Sequence, residues 1–117
     1  MNSLVKQFTW VLGIVLTLIG IAGFFVGDTL LIFHVNTIHN IVHVVSGLLA
    51  LLAVSMGESV ARLYLIVFGI VYALVTVLGF VMPNGDILGL FTVNDADNYL
   101  HAVIALGCLG VGLGVRK

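Results

Sequence analysis

The sequence predicts an all-α integral membrane protein, a four-helix bundle made of two repeated transmembrane hairpins. Of its 117 residues, 62% are hydrophobic and only 8% are charged, and the mean hydropathy is +1.30. A soluble domain carries about a quarter charged residues, so a lipid bilayer is the solvent that this composition fits. Four apolar stretches are long enough to cross it, since a spanning helix needs roughly 20 residues. A repeat then groups the four into two pairs.

The predicted spans cover about 8–26, 37–56, 63–82 and 95–115, within a single domain over 1–117. Turn residues separate them: Gly27-Asp28, Gly57-Glu58-Ser59 and Pro83-Asn84-Gly85-Asp86. The first span is long for a signal peptide, and no Ala-x-Ala-like site follows it, so we expect it to be retained.

The repeat aligns residues 27–45 with residues 85–103 without a gap. Nine pairs are identical: Gly27/Gly85, Asp28/Asp86, Leu30/Leu88, Phe33/Phe91, Val35/Val93, Asn36/Asn94, Asn40/Asn98, His43/His101 and Val45/Val103. Each copy, about 8–56 and about 63–115, is a helix, an outer loop and a returning helix. Both copies keep the same orientation, which predicts a pseudo-twofold axis along the membrane normal.

Charge sets the expected orientation. All basic residues fall on one side, namely Lys6, Arg62, Arg116 and Lys117, and four acidic residues fall on the other, namely Asp28, Asp86, Asp95 and Asp97. The positive-inside rule therefore predicts a multi-pass protein of the cell (inner) membrane with both termini in the cytoplasm. Trp10 and Tyr64 are expected at the inner interface and Tyr99 at the outer one. The net charge of −1 argues against nucleic acid as a partner.

Polar residues form one stripe on each returning helix. Asn36, His39, Asn40 and His43 share a face about 100° wide on span two, and Asn94, Asp97, Asn98 and His101 do so on span four. The repeat predicts that both stripes face the bundle axis. His43 lies seven residues after Asn36, roughly 10 Å into the membrane, where polar groups usually mark function.

A structural interpretation accounts for much of the stripe. Asn36 and Asn94 stand where their helices begin and are expected N-caps, and Asn94 to Asp97 resembles a capping box. Asn40 and Asn98 would form interhelical hydrogen bonds, each contributing about 0.6–2 kcal/mol. The histidines would then be further hydrogen-bonding partners.

A functional interpretation makes the stripe a cofactor site. His39 and His43 are spaced i, i+4, as are Asp97 and His101, so these four side chains can share one divalent metal ion. The asparagines would fix the histidine tautomers. Alternatively, His43 and His101 would be the axial ligands of a b-type haem.

Other chemistry is not indicated. No Asp, Glu, Lys or Arg lies in the middle of a span, which argues against a self-sufficient transporter. Deeper polar residues are sparse: Thr17, Ser46, Ser55, Tyr72 and Thr76. No catalytic residue is predicted, and enzymatic activity would need a bound metal or haem. The single cysteine, Cys108, allows no intrachain disulfide.

The motifs His39-Asn40-Ile41-Val42-His43 and Asp97-Asn98-Tyr99-Leu100-His101 resemble those of an uncharacterised family of small bacterial four-span membrane proteins. Ala61-Arg62 and Gly69-Ile70-Val71-Tyr72 also fit that family. The resemblance covers nearly the whole chain and implies a four-helix membrane protein with an Asn/His-rich outer face. It implies no activity.

Two functions therefore remain open from the sequence. In the first, the protein binds a metal or haem at the extracytoplasmic end of the bundle. In the second, it is a cofactor-free structural or accessory subunit of a larger membrane complex, with the Asn/His stripe as an interhelical clamp. Glycine-rich helix faces, such as Gly110-x3-Gly114, would then form a homo-oligomer or dock a partner.

Overall fold

Four long helices dominate the protein in a computed structural model that describes residues 3–27, 29–30, 33–89 and 91–115. They are α1 (Leu4–Gly23), α2 (Thr37–Ser55), α3 (Glu58–Val81) and α4 (Asp95–Gly114). Each is long and apolar enough to cross a membrane, judged by length and composition. The prediction of an all-α protein with four apolar helices is confirmed, and the helix surfaces suit a lipid bilayer.

A short antiparallel ribbon connects the helices of each hairpin, where the sequence predicted only turns. β1 (Thr29–Leu30) pairs with β2 (Phe33–His34), and β3 (Asp86–Ile87) pairs with β4 (Phe91–Thr92). One more hydrogen bond extends the second ribbon at its helix side, where the Val93 N–H donates to the Gly85 carbonyl over 2.9 Å. A side chain on Gly85 would overlap the Val93 carbonyl, which explains the glycine. Both ribbons lie at one end of the bundle, hereafter the ribbon end.

Two helices begin earlier than the predicted spans. Ser3 caps α1 by accepting a hydrogen bond from the Lys6 N–H, so the helix begins at Leu4. The chain turns at Gly57, whose φ of +115° is accessible to glycine, and α3 begins at once with Glu58. A carboxylate in the first turn suits the positive end of the helix dipole.

Packing is closest within each hairpin, α1 on α2 and α3 on α4. Glycines make these contacts close: Gly13 lies against Leu51, and Gly69 lies against Leu109. Helices in lipid associate through such backbone approach, since no water is expelled between them. The buried core draws on all four helices, including Leu16, Ala50, Leu65 and Cys108. The second hairpin closes on the first around this core.

Tyr64, which was expected at the inner interface, faces the inside of the bundle. Its side chain is only 6% exposed, and its hydroxyl donates to the Ser46 carbonyl over 2.7 Å. Because α3 begins at Glu58, Tyr64 lies more than a turn inside the helix, where a buried phenol needs an acceptor. Tyr99, in contrast, is 65% exposed.

The charge asymmetry is only partly within the described residues, because Asp28, Arg116 and Lys117 lie outside them. Arg62 has a structural role in addition to its charge. Its Nη1 donates to the carbonyls of Gly112 and Val115, over 2.8 and 2.7 Å. A cation thus satisfies the free carbonyls at the end of α4 and joins that end to the start of α3.

Candidate metal centre

Three histidines meet inside the bundle near the ribbon end. His39 and His43 lie one turn apart on α2, and His101 comes from α4. Each offers a ring nitrogen, and these nitrogens all lie within 4.8 Å of one another. Each residue is at most 2% exposed. The structure therefore brings three of the four predicted metal ligands together from both hairpins.

Helix caps fix where these histidines lie along their helices. Asn36 is the N-cap of α2, and its side chain accepts from the His39 N–H over 2.9 Å. Asn94 is the N-cap of α4 and forms a reciprocal capping box with Asp97, over 2.8 and 2.9 Å. Since a cap sets where a helix starts, His39 and Asp97 both become the third helical residue. His43 and His101 follow one turn later.

Asp97, the fourth predicted ligand, is placed differently. It is buried, and one of its carboxylate oxygens accepts the Asn94 N–H. The metal-ligating group found among the described residues consists of the histidines alone. The Asp97 carboxylate thus helps to hold the start of α4.

Asn40 and Asn98 pack inside their own hairpins. The side-chain oxygen of Asn40 lies where a Cβ on Gly23 of α1 would stand, and that of Asn98 lies where a Cβ on Gly79 of α3 would stand. Neither oxygen has a hydrogen-bond partner within the described part of the chain. These asparagines therefore occupy the tightest helix contacts near the ribbon end.

A small cavity adjoins the histidines between α2 and α3. Its volume is about 30 Å³. The three histidines line it together with two residues that bear hydroxyls, Ser46 and Tyr72, and the rest of its wall is apolar. A water molecule needs about 10–15 Å³ measured in this way, so the cavity has space for about two water-sized groups.

Several ring nitrogens in the cluster are unsatisfied. Both nitrogens of His43 and Nδ1 of His101 are buried and have no hydrogen-bond partner among the described residues. Leaving such a group unpaired costs about 1–3 kcal/mol, and buried polar atoms are nearly always bonded. A metal ion would accept the lone pairs of several imidazoles at once. The donor set therefore fits a metal.

Two aromatic neighbours were missed by the sequence analysis. Phe91 of β4 stacks on His39, with ring centroids 4.9 Å apart and an interplanar angle of 26°. The Tyr72 ring lies 5.6 Å from that of His101. The identity of Phe91 with Phe33 in the repeat was a usable signal. Tyr72 was noted as a polar residue in an apolar span, but nothing in the sequence assigned it to this site. His34, which the repeat leaves out, lies in β2.

Residues 6–114 match the model of a family described as a domain of unknown function, DUF4383. The chain belongs to this family. The matched stretch runs from the first turn of α1 to the last residue of α4 and includes the three histidines. No curated protein and no solved structure matches the chain.

Proposed function

We propose that this DUF4383 protein binds one divalent transition-metal ion within the membrane through His39, His43 and His101. The observation that supports this most strongly is the convergence of three buried imidazole nitrogens within 4.8 Å. Imidazole ligands suit zinc, copper, iron and nickel. A tetrahedral ion with bonds of about 2.0–2.1 Å holds its ligand atoms about 3.3 Å apart. Small side-chain rotations would close the difference.

An ion fits this site better than the alternative b-type haem. The ring centroids of His43 and His101 are 6.0 Å apart, but the His39 ring lies beside both, at 4.4 and 5.4 Å. The cavity of about 30 Å³ has space for about two small groups. A porphyrin between the two histidines would need His39 and Phe91 to leave. We therefore propose a mononuclear ion.

Three protein ligands would leave a coordination position open. Structural zinc sites are closed by four protein ligands, whereas sites that bind an exogenous group keep three. The proposed role is accordingly the binding and handling of a metal, or redox chemistry at it. We assign no catalytic residue, and enzymatic activity is not part of the proposal.

We also propose that the hairpins are structural copies and that the ribbon end faces away from the cytoplasm. Glycine contacts support the first point: Gly13 and Gly69 pack on the equivalent Leu51 and Leu109. The basic residues Lys6 and Arg62, near the starts of α1 and α3, support the second. The metal would then be held near the extracytoplasmic surface.

The test is the metal content of protein purified in mild detergent without chelator or His-tag. Elemental analysis should find about one transition-metal ion per chain. His39→Ala, His43→Ala and His101→Ala should each weaken binding by more than the roughly 10–100-fold that the loss of a supporting hydrogen bond costs. Thr37→Ala, an exposed change in the first turn of α2, is the control and should keep the full metal content.

Helicity measured by circular dichroism separates loss of the ion from loss of the fold. The proposal requires variants that are helical but metal-depleted. Stoichiometric, wild-type binding by His43→Ala or by His101→Ala would contradict it.

A second candidate is a cofactor-free structural subunit. The contacts of Asn40 with Gly23 and of Asn98 with Gly79 favour it, because they make the polar stripe part of the helix packing. Gly110 and Gly114 are exposed with open space beside them, so a partner helix could approach there. This candidate predicts a stable protein without metal, and the same analysis distinguishes it.

A further inference from the structure

The cavity beside the histidines suggests what the metal would bind. We propose that the open coordination position lies in this cavity, and that it takes a ligand of at most two non-hydrogen atoms that arrives uncharged from the bilayer. This inference rests on the proposed metal site.

The cavity volume limits the size of the ligand. About 30 Å³ corresponds to about two water-sized positions. One of these positions is needed for the ion, since the histidines themselves line the cavity. The other admits water or a diatomic molecule but not a five-membered ring.

The cavity wall gives the ligand one polar side. Among the residues that line it, Tyr72 and Ser46 carry hydroxyls, and none is Asp, Glu, Lys or Arg. Tyr72 lies beside His101, and its phenol can donate a hydrogen bond to the outer atom of a metal-bound ligand. A charged molecule would have to lose its hydration in apolar surroundings, which is costly.

The route from lipid is short. Val42 of α2 and Val71 of α3 both line the cavity, yet they are also 37% and 44% exposed on the outer surface of the bundle. Two valine side chains thus separate the cavity from the acyl chains. On the ribbon side, Phe91 stacks on His39 and closes that approach. A molecule that enters from the lipid therefore has to pass only the two valine side chains, whereas the ribbon side is covered by the stacked rings.

Nitric oxide is a suitable probe because it is diatomic, uncharged and soluble in lipid. Full-length protein would be loaded with Fe²⁺ in lipid nanodiscs without oxygen, and its iron content measured first. Addition of nitric oxide should produce the EPR signal of a high-spin iron–nitrosyl complex, with about one complex per bound iron. Imidazole is larger than the free space, so it should neither change the EPR signal of the iron–nitrosyl complex nor compete with nitric oxide for the iron.

Variants test the residues that shape the cavity. Tyr72→Phe should keep its iron and bind nitric oxide roughly 2–10-fold more weakly, the range expected for one lost hydrogen bond. Val71→Trp or Val42→Trp should slow nitrosyl formation. Leu74→Trp is the matched control, because Leu74 is 60% exposed on the same helix but does not line the cavity. It should react at the wild-type rate.

The outcomes separate this inference from the proposed function. An iron-loaded protein that forms no nitrosyl complex would overturn the inference alone. The same holds if Val42→Trp and Val71→Trp both form the nitrosyl complex at the wild-type rate, or if imidazole binds as tightly as nitric oxide. A wild-type protein that retains no Fe²⁺, and no other transition metal, would overturn the proposed metal site and this inference with it.

Discussion

At the residue scale, the two hairpins differ most informatively at one position. The third residue of α2 is His39, and the third residue of α4 is Asp97. Asp97 returns the hydrogen bond of its N-cap, whereas His39 contributes an imidazole to the three-histidine cluster. A single difference between otherwise similar helix starts thus supplies the third nitrogen donor. The sequence treated both positions as ligands.

Asp97→Ala separates capping from coordination. Loss of one half of the capping box should lower the free energy of unfolding by about 1 kcal/mol. The metal content should stay at the wild-type value, because the three histidines remain. Denaturation in detergent and elemental analysis of the same sample would measure both.

Asp95→Ala is the control for this variant. Asp95 is exposed in the first turn of α4, so its loss removes only a favourable interaction with the helix dipole, about 0.3–1 kcal/mol. Loss of metal from Asp97→Ala, with metal retained by Asp95→Ala, would restore Asp97 as a ligand.

At the element scale, each hairpin depends on places where one backbone admits a neighbouring side chain. Gly23 admits Asn40, and Gly79 admits Asn98. These contacts lie about one turn from the histidines, so they hold the helices that carry the histidines in place. Gly23 and Gly79 both have a negative φ, so backbone conformation does not require glycine at either position. The close approach of the asparagine side chain is therefore the reason for glycine there.

Gly23→Ala should destabilise the protein by about 1–3 kcal/mol, as overpacking of a well-filled contact does. Thermal unfolding in detergent, followed by circular dichroism, would show it. Gly110→Ala is the matched control, because a Cβ there meets nothing within 4 Å. It should be neutral or up to about 1 kcal/mol stabilising.

Removal of the opposing amide should relieve the clash. The double variant Gly23→Ala, Asn40→Ala should recover part of the stability lost in Gly23→Ala, and a double-mutant cycle measures that coupling. Strict additivity of the two changes would show that the contact is not tight.

At the scale of the whole molecule, the positions of the loops relative to the membrane can be measured by labelling. In a Cys108→Ala background, Phe25→Cys lies just beyond α1 toward the ribbon end, and Ser59→Cys lies at the start of α3. Both sites are exposed. We expect an impermeant maleimide to label Phe25→Cys in intact spheroplasts and Ser59→Cys only after permeabilisation. The reverse pattern would invert the topology proposed from the basic residues.

Features that depend on local sequence could be predicted, whereas features that depend on tertiary contacts could not. Apolar length alone predicted the four helices. The spacing placed His39 and His43 on one face of α2, and the repeat placed His101 in the matching stripe of α4. The gapless alignment, offset by 58 residues, relates Asn40 to Asn98. If the hairpins are structural copies, as proposed, the first helices would correspond at an offset of 56 residues, because Gly13 and Gly69 make matching contacts with Leu51 and Leu109. Helix-packing glycines do not stand out in apolar sequence, so this offset was missed.

The remaining features depend on tertiary contacts. Tyr64 and Tyr72 lie on the same helix, and their burial is decided by which side of α3 meets the other hairpin. The stacking of Phe91 on His39 depends on a ribbon of two-residue strands, too short to show an alternating pattern.

The three histidines come from two hairpins that pack mainly within themselves. An ion bound there would bridge the two halves of the chain, two bonds to one half and one to the other. Its departure would weaken the association between the halves more than it would weaken either half. A metal-free bundle would then be able to open at Gly57 and exchange a hairpin with a second copy, which would form a domain-swapped dimer with two complete sites.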